Sequence, residues 1–341
     1  MEKFAGFAAD KLLRVTALLV SHRFNAAHGA RLAAAARDSA EVIVLPPDPA
    51  ARLADADCAR AEVAFFSGDV FPDHSRQFFS AVRKAPRLAW LHVFNVGVDH
   101  PIYSEMLERG VRLTTSSGSA SVAIAQTAIA ALLALARGFP HWLGAQRRRE
   151  WAPLRAEASP RDLKGQTAVI LGLGKIGTEI ARLAQALGLT VVGVRRGPRR
   201  PGDPVDELHP PAALAGLLGR CDWLVIACPL TPETRGLVDA GLIAKLPRAA
   251  RIINVARGEI VDEPALIAAL QDGRLAGAYL DVFETEPLPP ASPLWDMPNV
   301  IVTPHNAGAA AGNDERVLEI FLDNLARWHR GAPLVNEIAK G

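Results

Sequence analysis

Three residues pair acid–base or cationic chemistry with the same local setting. Arg257 follows the run RIINVA (251–256), Glu286 follows YLDVFET (279–285) and His305 follows VIVTP (300–304). Short apolar runs rich in β-branched residues read as strands. In open α/β sheets, ligands bind beyond the carboxyl ends of the strands, so residues distant in sequence can converge there. An arginine can grip a carboxylate through its planar fork and stabilise a developing oxyanion. A histidine can deliver or remove a proton near neutrality. A carboxylate bonded to the other imidazole nitrogen would orient the ring and favour its charged form, raising the pKa of His305. Singly, each residue has a structural alternative. Arg257 could pair with Glu259 or Asp262, Glu286 could be a loop carboxylate and His305 a satisfied turn histidine. Their ordered placement after successive strands argues for catalysis.

A second constellation is Gly172-Leu-Gly174-Lys175-Ile176-Gly177, between the strand-like AVIL (168–171) and the helical TEIARLAQALG (178–188). Gly172 permits the tight turn, Gly174 admits a pyrophosphate and Gly177 lets helix and strand pack closely. The N–H groups and dipole of the following helix attract a phosphate. The next strand, TVVGV (190–194), runs into Arg195-Arg196-Gly-Pro-Arg199-Arg200. An NAD site usually carries an acid there for the ribose 2′-OH. An arginine instead suits a 2′-phosphate, and a charge-assisted bond worth about 1.5–3 kcal/mol shifts preference about ten- to a hundredfold. The expected coenzyme is NADP(H), with NAD(H) and a merely solvated basic loop as alternatives.

The elements that must position these groups alternate along the chain. In the first third, strands are expected at 14–20, 41–45, 61–66, 87–93 and 111–115, with helices at 26–37, 50–60, 74–84 and 101–109. Residues 119–137 read as a helix with no polar face, buried all round or covered by a second subunit. The Trp- and Arg-rich stretch 141–160 reads as a surface connector. A second series starts at TAVILGLGKIG (167–177), with its strand AVIL at 168–171, and continues with strands at 190–194, 222–228, 251–256, 277–283 and 300–305. Thr231-Pro232 suits a helix start, as do Asp262 and Glu263. Val317, Phe321, Leu325 and Trp328 form one stripe of a closing helix. The fold class is α/β: two Rossmann-like or flavodoxin-like parallel-sheet domains with a cleft between them.

The blocks INVARGEIVDEPAL (253–266), LDVFETEPLP (280–289), TPHNAG (303–308), CDWLVIACPLTPETRGLV (221–238) and GLGKIG (172–177) resemble those of the D-isomer-specific 2-hydroxyacid dehydrogenases. The resemblance runs from about residue 88 onward. It implies hydride transfer between NAD(P)(H) and a small 2-keto or 2-hydroxy acid, glyoxylate and hydroxypyruvate among them. Arg257 would bind substrate, with His305 as general acid/base assisted by Glu286. In Asn95-Val96-Gly97-Val98-Asp99, Val96 and Gly97 would hold the substrate carboxylate, a glycine turn being the alternative. Pro229 and Leu230 would lie near the adenine. Asp281 would bond the nicotinamide carboxamide, with a buried capping role as its rival. The implied domains are 1–115 with 308–341 for substrate and 116–307 for dinucleotide, and a homodimer is implied. Two departures stand out: Gln126 where the family often has Glu, and Asn306 where an apolar residue is common.

Composition supports this frame. A chain of 341 residues fits two domains, and 50% hydrophobic against 22% charged residues argues against disorder. A net charge of +2 makes no case for nucleic acid or an anionic membrane surface. Cys58, Cys221 and Cys228 are scattered, without metal-ligand or disulfide spacing. The beginning of the chain lacks a signal-peptide pattern, and residues 119–136 fall short of a membrane span, so a cytoplasmic protein is expected. Two other readings stay open: a dinucleotide-sensing regulatory protein on this fold, and an enzyme acting on formate or phosphite.

Overall fold

The computed structural model describes residues 16–36, 40–98 and 100–338. Four residues given roles above, Arg14 and Val15 in the first strand, Arg37 in the first helix and Asp99, lie outside them. The chain forms two compact units, one up to Ser119 and again from Ala311, the other Ala120–Ala310.

In the first unit, strands β1 (Thr16–Val20), β2 (Ala40–Val44), β3 (Val63–Phe66), β4 (Trp90–Val93) and β5 (Arg112–Thr115) pair in parallel in the order β2-β1-β3-β4-β5. Helices α1 (His22–Ala35), α2 (Asp55–Arg60), α3 (Ser75–Arg83) and α4 (Pro101–Glu108) make the crossovers. The central strands are continuous apolar runs because both faces are covered. Leu19, Phe66 and Leu91 enter one core with Phe78 and Met106, while Leu18, Phe65 and Trp90 enter another. A polar chain threads this second layer. Trp90 Nε1 donates to Thr114 Oγ1 (2.7 Å), which meets His92 Nδ1 (2.6 Å). His92 Nε2 meets Ser116 Oγ (3.1 Å), which donates to the Val93 carbonyl (3.1 Å). Each hydroxyl has one proton, so Thr114 donates to Nδ1 and the ring donates through Nε2. Burial pushes the His92 pKa down to about 3, so the ring is neutral.

The second unit opens with α5 (Ser121–Arg137) and α6 (Phe139–Arg148). Then follow β6 (Thr167–Leu171), α7 (Lys175–Ala186), β7 (Thr190–Val194), β8 (Glu207–His209), α8 (Leu214–Leu217), β9 (Trp223–Ile226), α9 (Ala240–Ile243), β10 (Arg251–Asn254), α10 (Glu263–Gln271), β11 (Gly277–Leu280) and β12 (Val300–Val302). All seven strands pair in parallel, in the order β12-β11-β10-β9-β6-β7-β8. The order reverses between β6 and β9, the place where open sheets of this kind take a ligand. The chain returns to the first unit in α11 (Asn313–Arg330), which lays Val317, Phe321 and Leu325 on the Phe65–Trp90 layer.

The structure departs from the expected elements in three places. Part of the connector 141–160 is helical: Gly138, at φ +79°, ends α5 and starts α6, and Pro140 suits the first turn. Among the described residues no single helix is long and apolar enough to cross a membrane, although α5 and α6, bent by 70°, pass that test of length and composition as a pair. Nor is α5 buried all round within the chain. Ala125, Ala128, Leu132 and Leu135 face the core, whereas Val122 is 52% exposed and Gln126 and Ala130 share its stripe. Thr231-Pro232 starts only a turn, because the chain enters the left-handed region at Gly236 (φ +63°), and the next helix, α9, is capped by Asp239.

Candidate active site

Strands β10, β11 and β12 are neighbours in register, with Asn254 opposite Leu280 and Leu280 opposite Val302. Arg257, Glu286 and His305 stand on the loops beyond those positions. The His305 ring donates from Nδ1 to Glu286 Oε2 at 2.7 Å, and the ring is 48% exposed. The other Glu286 oxygen accepts from the Phe283 N–H at 3.1 Å, so the carboxylate is aimed by its own loop. His305 has φ +50°, a conformation rare outside glycine but less so for histidine. Its N–H bonds the Asp281 carbonyl (2.8 Å), which holds the turn.

Arg257 sits just before a 3-10 turn, Gly258–Ile260. Asn254 braces its backbone: Nδ2 donates to the Arg257 carbonyl (2.9 Å) and Oδ1 accepts from Ala256 N–H (3.0 Å). A Cβ on Gly258 would lie 1.9 Å from the Phe283 carbonyl carbon. Only glycine lets the Arg257 turn pack on the Phe283–Glu286 loop. Neither Asn254 nor Gly258 was singled out from sequence, although both lie within the RIINVARG block.

Asp281, buried after β11, supports the His305 turn. Its Oδ1 accepts from Thr303 Oγ1 (2.5 Å), Asn306 N–H (2.8 Å) and Ala307 N–H (3.0 Å), and Oδ2 from Ala307 N–H (3.1 Å). Since Thr303 gives its proton to Asp281, the Tyr279 hydroxyl donates to Thr303 (2.8 Å).

At the point where the sheet order reverses, the glycine loop has the shape expected for a dinucleotide. Gly172 has φ +98°, and a Cβ there would meet the Cys228 backbone at 2.6 Å. A Cβ on Gly177 would strike the Gly172 carbonyl oxygen at 1.9 Å, while the space beside Gly174 is open for 4 Å. Lys175 and Ile176 begin α7, whose first turn lacks a side-chain cap. These residues fit a pyrophosphate. Pro229 and Leu230 follow β9, where Thr234 Oγ1 donates to the Pro229 carbonyl (2.8 Å) and Leu230 packs on the core. Beyond β7, Arg196 is exposed but Arg195 is turned inward onto Asp203. In the first unit, Asn95 Nδ2 donates to the Gly97 carbonyl, and Ser116 N–H to the Asn95 carbonyl (3.3 Å). Among the described residues, the Val96 and Gly97 N–H groups meet no acceptor.

The three cysteines are free and buried, and burial pushes the thiols of Cys221 and Cys228 up to about 12 and about 11. Neither suits a nucleophile. Among the described residues no cluster of His, Cys, Asp and Glu could hold a metal ion.

The family model for the D-isomer specific 2-hydroxyacid dehydrogenase, NAD binding domain, matches residues 129–307. An uncharacterised protein from Streptomyces coelicolor is 40% identical over 247 residues, 72% of this chain and 85% of its own. The glyoxylate reductase of Pyrococcus horikoshii is 35% identical over 253 residues, 72% of this chain and 75% of its own. Among solved structures, the NADPH-dependent glyoxylate/hydroxypyruvate reductase of Sinorhizobium meliloti, in complex with NADP and sulfate, aligns with a TM-score of 0.76 and 30% identity, over 95% of this chain and 98% of that one. The chain belongs to the D-isomer-specific 2-hydroxyacid dehydrogenase family and is an oxidoreductase of the NAD(P)-dependent kind.

Proposed function

We propose that the protein reduces a small 2-keto acid, glyoxylate, hydroxypyruvate or a close analogue, with NADPH. The observation that carries this reading is the Glu286–His305 hydrogen bond at 2.7 Å beside the arginine-bearing turn after β10. Bound NADPH supplies the hydride for the carbonyl carbon. Arg257 pairs with the substrate and offsets the negative charge that gathers on the carbonyl oxygen. His305, held through Nδ1, donates a proton from Nε2 to that oxygen, and Glu286 stabilises the ring while it carries charge. In the opposite direction Nε2 takes the hydroxyl proton. The backbone N–H groups of Val96 and Gly97 serve as the first unit's carboxylate loop.

For the coenzyme, Gly172, Gly174, Lys175, Ile176 and Gly177 hold the pyrophosphate, and Pro229 and Leu230 flank the adenine. Asp281 helps to place the carboxamide through its less used oxygen, Oδ2. The basic loop after β7 favours NADP(H), a choice supported by the NADP-bound relative. The exposed apolar stripe of α5 and α6, with Val122, Phe139 and Leu143, supports a homodimer. Three buried free cysteines without a disulfide support a reducing compartment, the cytoplasm.

Purified protein should oxidise NADPH with at least one member of a 2-keto acid panel. His305→Ala should lower that rate about 10²–10⁴-fold. An undiminished rate in the variant would remove His305 from its assigned role.

A further inference from the structure

The loop after β7 carries four arginines that the structure divides into two pairs. Arg195 is committed inside the loop. Its Nη1 donates to Asp203 Oδ1 (3.2 Å) and Nη2 to Asp203 Oδ2 (2.6 Å), with further bonds to the Gly197 carbonyl (3.5 Å) and the Pro198 carbonyl. The side chains of Arg195 and Asp203 are only 11% and 7% exposed. Arg199 is engaged as well, with the carbonyls of Val205 (2.5 Å) and Asp206 (3.5 Å). Arg196 and Arg200 are exposed, and among the described residues neither guanidinium makes a hydrogen bond.

Asp203 does more than balance a charge. It closes the turn Arg200-Pro201-Gly202-Asp203, its N–H bonding the Arg200 carbonyl (3.1 Å). Proline at the second position and Gly202 at φ +83° at the third are the residues a type II turn requires. Oδ2 also accepts from the Arg200 N–H (2.7 Å), so one carboxylate ties the start of the loop to its end. The Arg195 guanidinium, followed by that N–H, holds the Asp203 pKa below the ordinary carboxylate value. Arg196 is the next residue after Arg195, and the pKa of Glu233, on the turn after β9, is lowered first by the Thr231 hydroxyl and in small part by the charge of Arg196. Between β7 and β9 runs β6, which carries the glycine loop. Arg196 therefore stands at the ribose side of the dinucleotide crevice. A phosphate approaching Arg195 would meet an already paired guanidinium and the carboxylate that pairs it.

We infer that Asp203 is a positioning residue for coenzyme selection: it draws Arg195 inward as a clasp and leaves Arg196 to meet the 2′-phosphate of the adenosine ribose. The inference rests on the NADPH reading above. The test compares KM for NADPH and for NADH, with one 2-keto acid, in R196Q, R195Q, D203N, D203E and the R195Q/D203N double variant. R196Q raises KM for NADPH about tenfold or more and leaves KM for NADH unchanged. D203N raises KM for NADPH with kcat unchanged, D203E restores it in part, and the double variant is no worse than either single one. Were Arg195 the phosphate ligand, D203N would free it and lower KM for NADPH, which overturns the inference, as does additivity in the double variant.

Binding of adenosine 2′,5′-bisphosphate against adenosine 5′-monophosphate, measured by calorimetry, repeats the comparison without turnover. Loss of discrimination in D203N supports the clasp, and retained discrimination overturns it. A wild-type protein that favours NADH, with R196Q changing neither KM, refutes the NADPH reading and the role of Arg196 together. In that case equal, non-additive losses of melting temperature in R195Q and D203N would show the clasp as a purely structural pair.

Discussion

At the scale of single residues, the proposed chemistry depends on groups that hold the trio in place. His305 and Glu286 meet because Phe283 aims the carboxylate and Asp281 holds the turn that turns His305 outward. The left-handed conformation of His305 costs on the order of 1 kcal/mol, which the bonds to Asp281 must offset. Gly258 sets the distance between the Arg257 turn and the Glu286 loop. With the Phe283 carbonyl carbon 1.9 Å from an added Cβ, and backbone rather than a flexible side chain in the way, Gly258→Ala must push the two loops apart. The expected loss of stability is on the order of 3 kcal/mol, together with a raised KM for the 2-keto acid. Urea unfolding and steady-state kinetics check it, and an Ala variant matching wild type in both contradicts the packing argument.

At the scale of elements, the edge of the second sheet tests how much a short strand owes to its ions. β8 is three residues long, and its Glu207 accepts from Arg220 Nη1 (2.7 Å) and Nη2 (2.5 Å) and from His209 Nε2 (2.9 Å). Those partners, Arg220 first, pull the Glu207 pKa down to about 2. A depressed carboxylate contributes above its unfolded pKa of about 4.3 and loses that contribution as pH falls toward the folded value. All three groups are open to water, so the gain is at most about 1 kcal/mol. Wild type should exceed Glu207→Gln by a constant margin above pH 5 and lose it as pH approaches 2. A margin indifferent to pH would assign β8 to packing alone.

β8 also marks where sequence reading ends. Longer strands such as β6, β7 and β10 are legible as apolar runs buried on both faces, and the trio was legible because its residues sit just past such runs. A three-residue edge strand has no room for a pattern. α6 was obscured by its exposed tryptophan and arginines and is explained only by Gly138 and Pro140 at its start. Asn254, Gly258 and Asp203 act through the close approach of other chain segments, which composition and spacing do not encode. The Arg195–Arg196 pair was legible as basic, but its split into an inward and an outward residue needed the Asp203 carboxylate.

At the scale of the whole molecule, two parallel sheets each bury their central strands on both faces, and one pays for a polar chain within its core. His92 is neutral and wired from Trp90 to Val93 through Thr114 and Ser116. Its folded pKa of about 3 lies below its ordinary value of 6.5, so the unfolded chain binds the proton more readily. The resulting stability is fully present above pH 6.5 and erodes by about 1.4 kcal/mol per unit as pH falls toward 3. His92→Gln, which keeps a donor and an acceptor without a titrating ring, should unfold with a shallower acid limb in urea melts between pH 7 and 4. Parallel limbs would exclude His92 as the cause.

The second unit interrupts the first, and this sets an order of assembly during synthesis. Residues 120–310 form a continuous stretch that can fold once it has emerged from the ribosome. The first unit, although its strands are made earlier, cannot close its Phe65–Trp90 layer until Val317, Phe321 and Leu325 arrive on α11. For the time it takes to translate the inserted unit, that half-built layer keeps an apolar face open, and nascent-chain chaperones would find their substrate there.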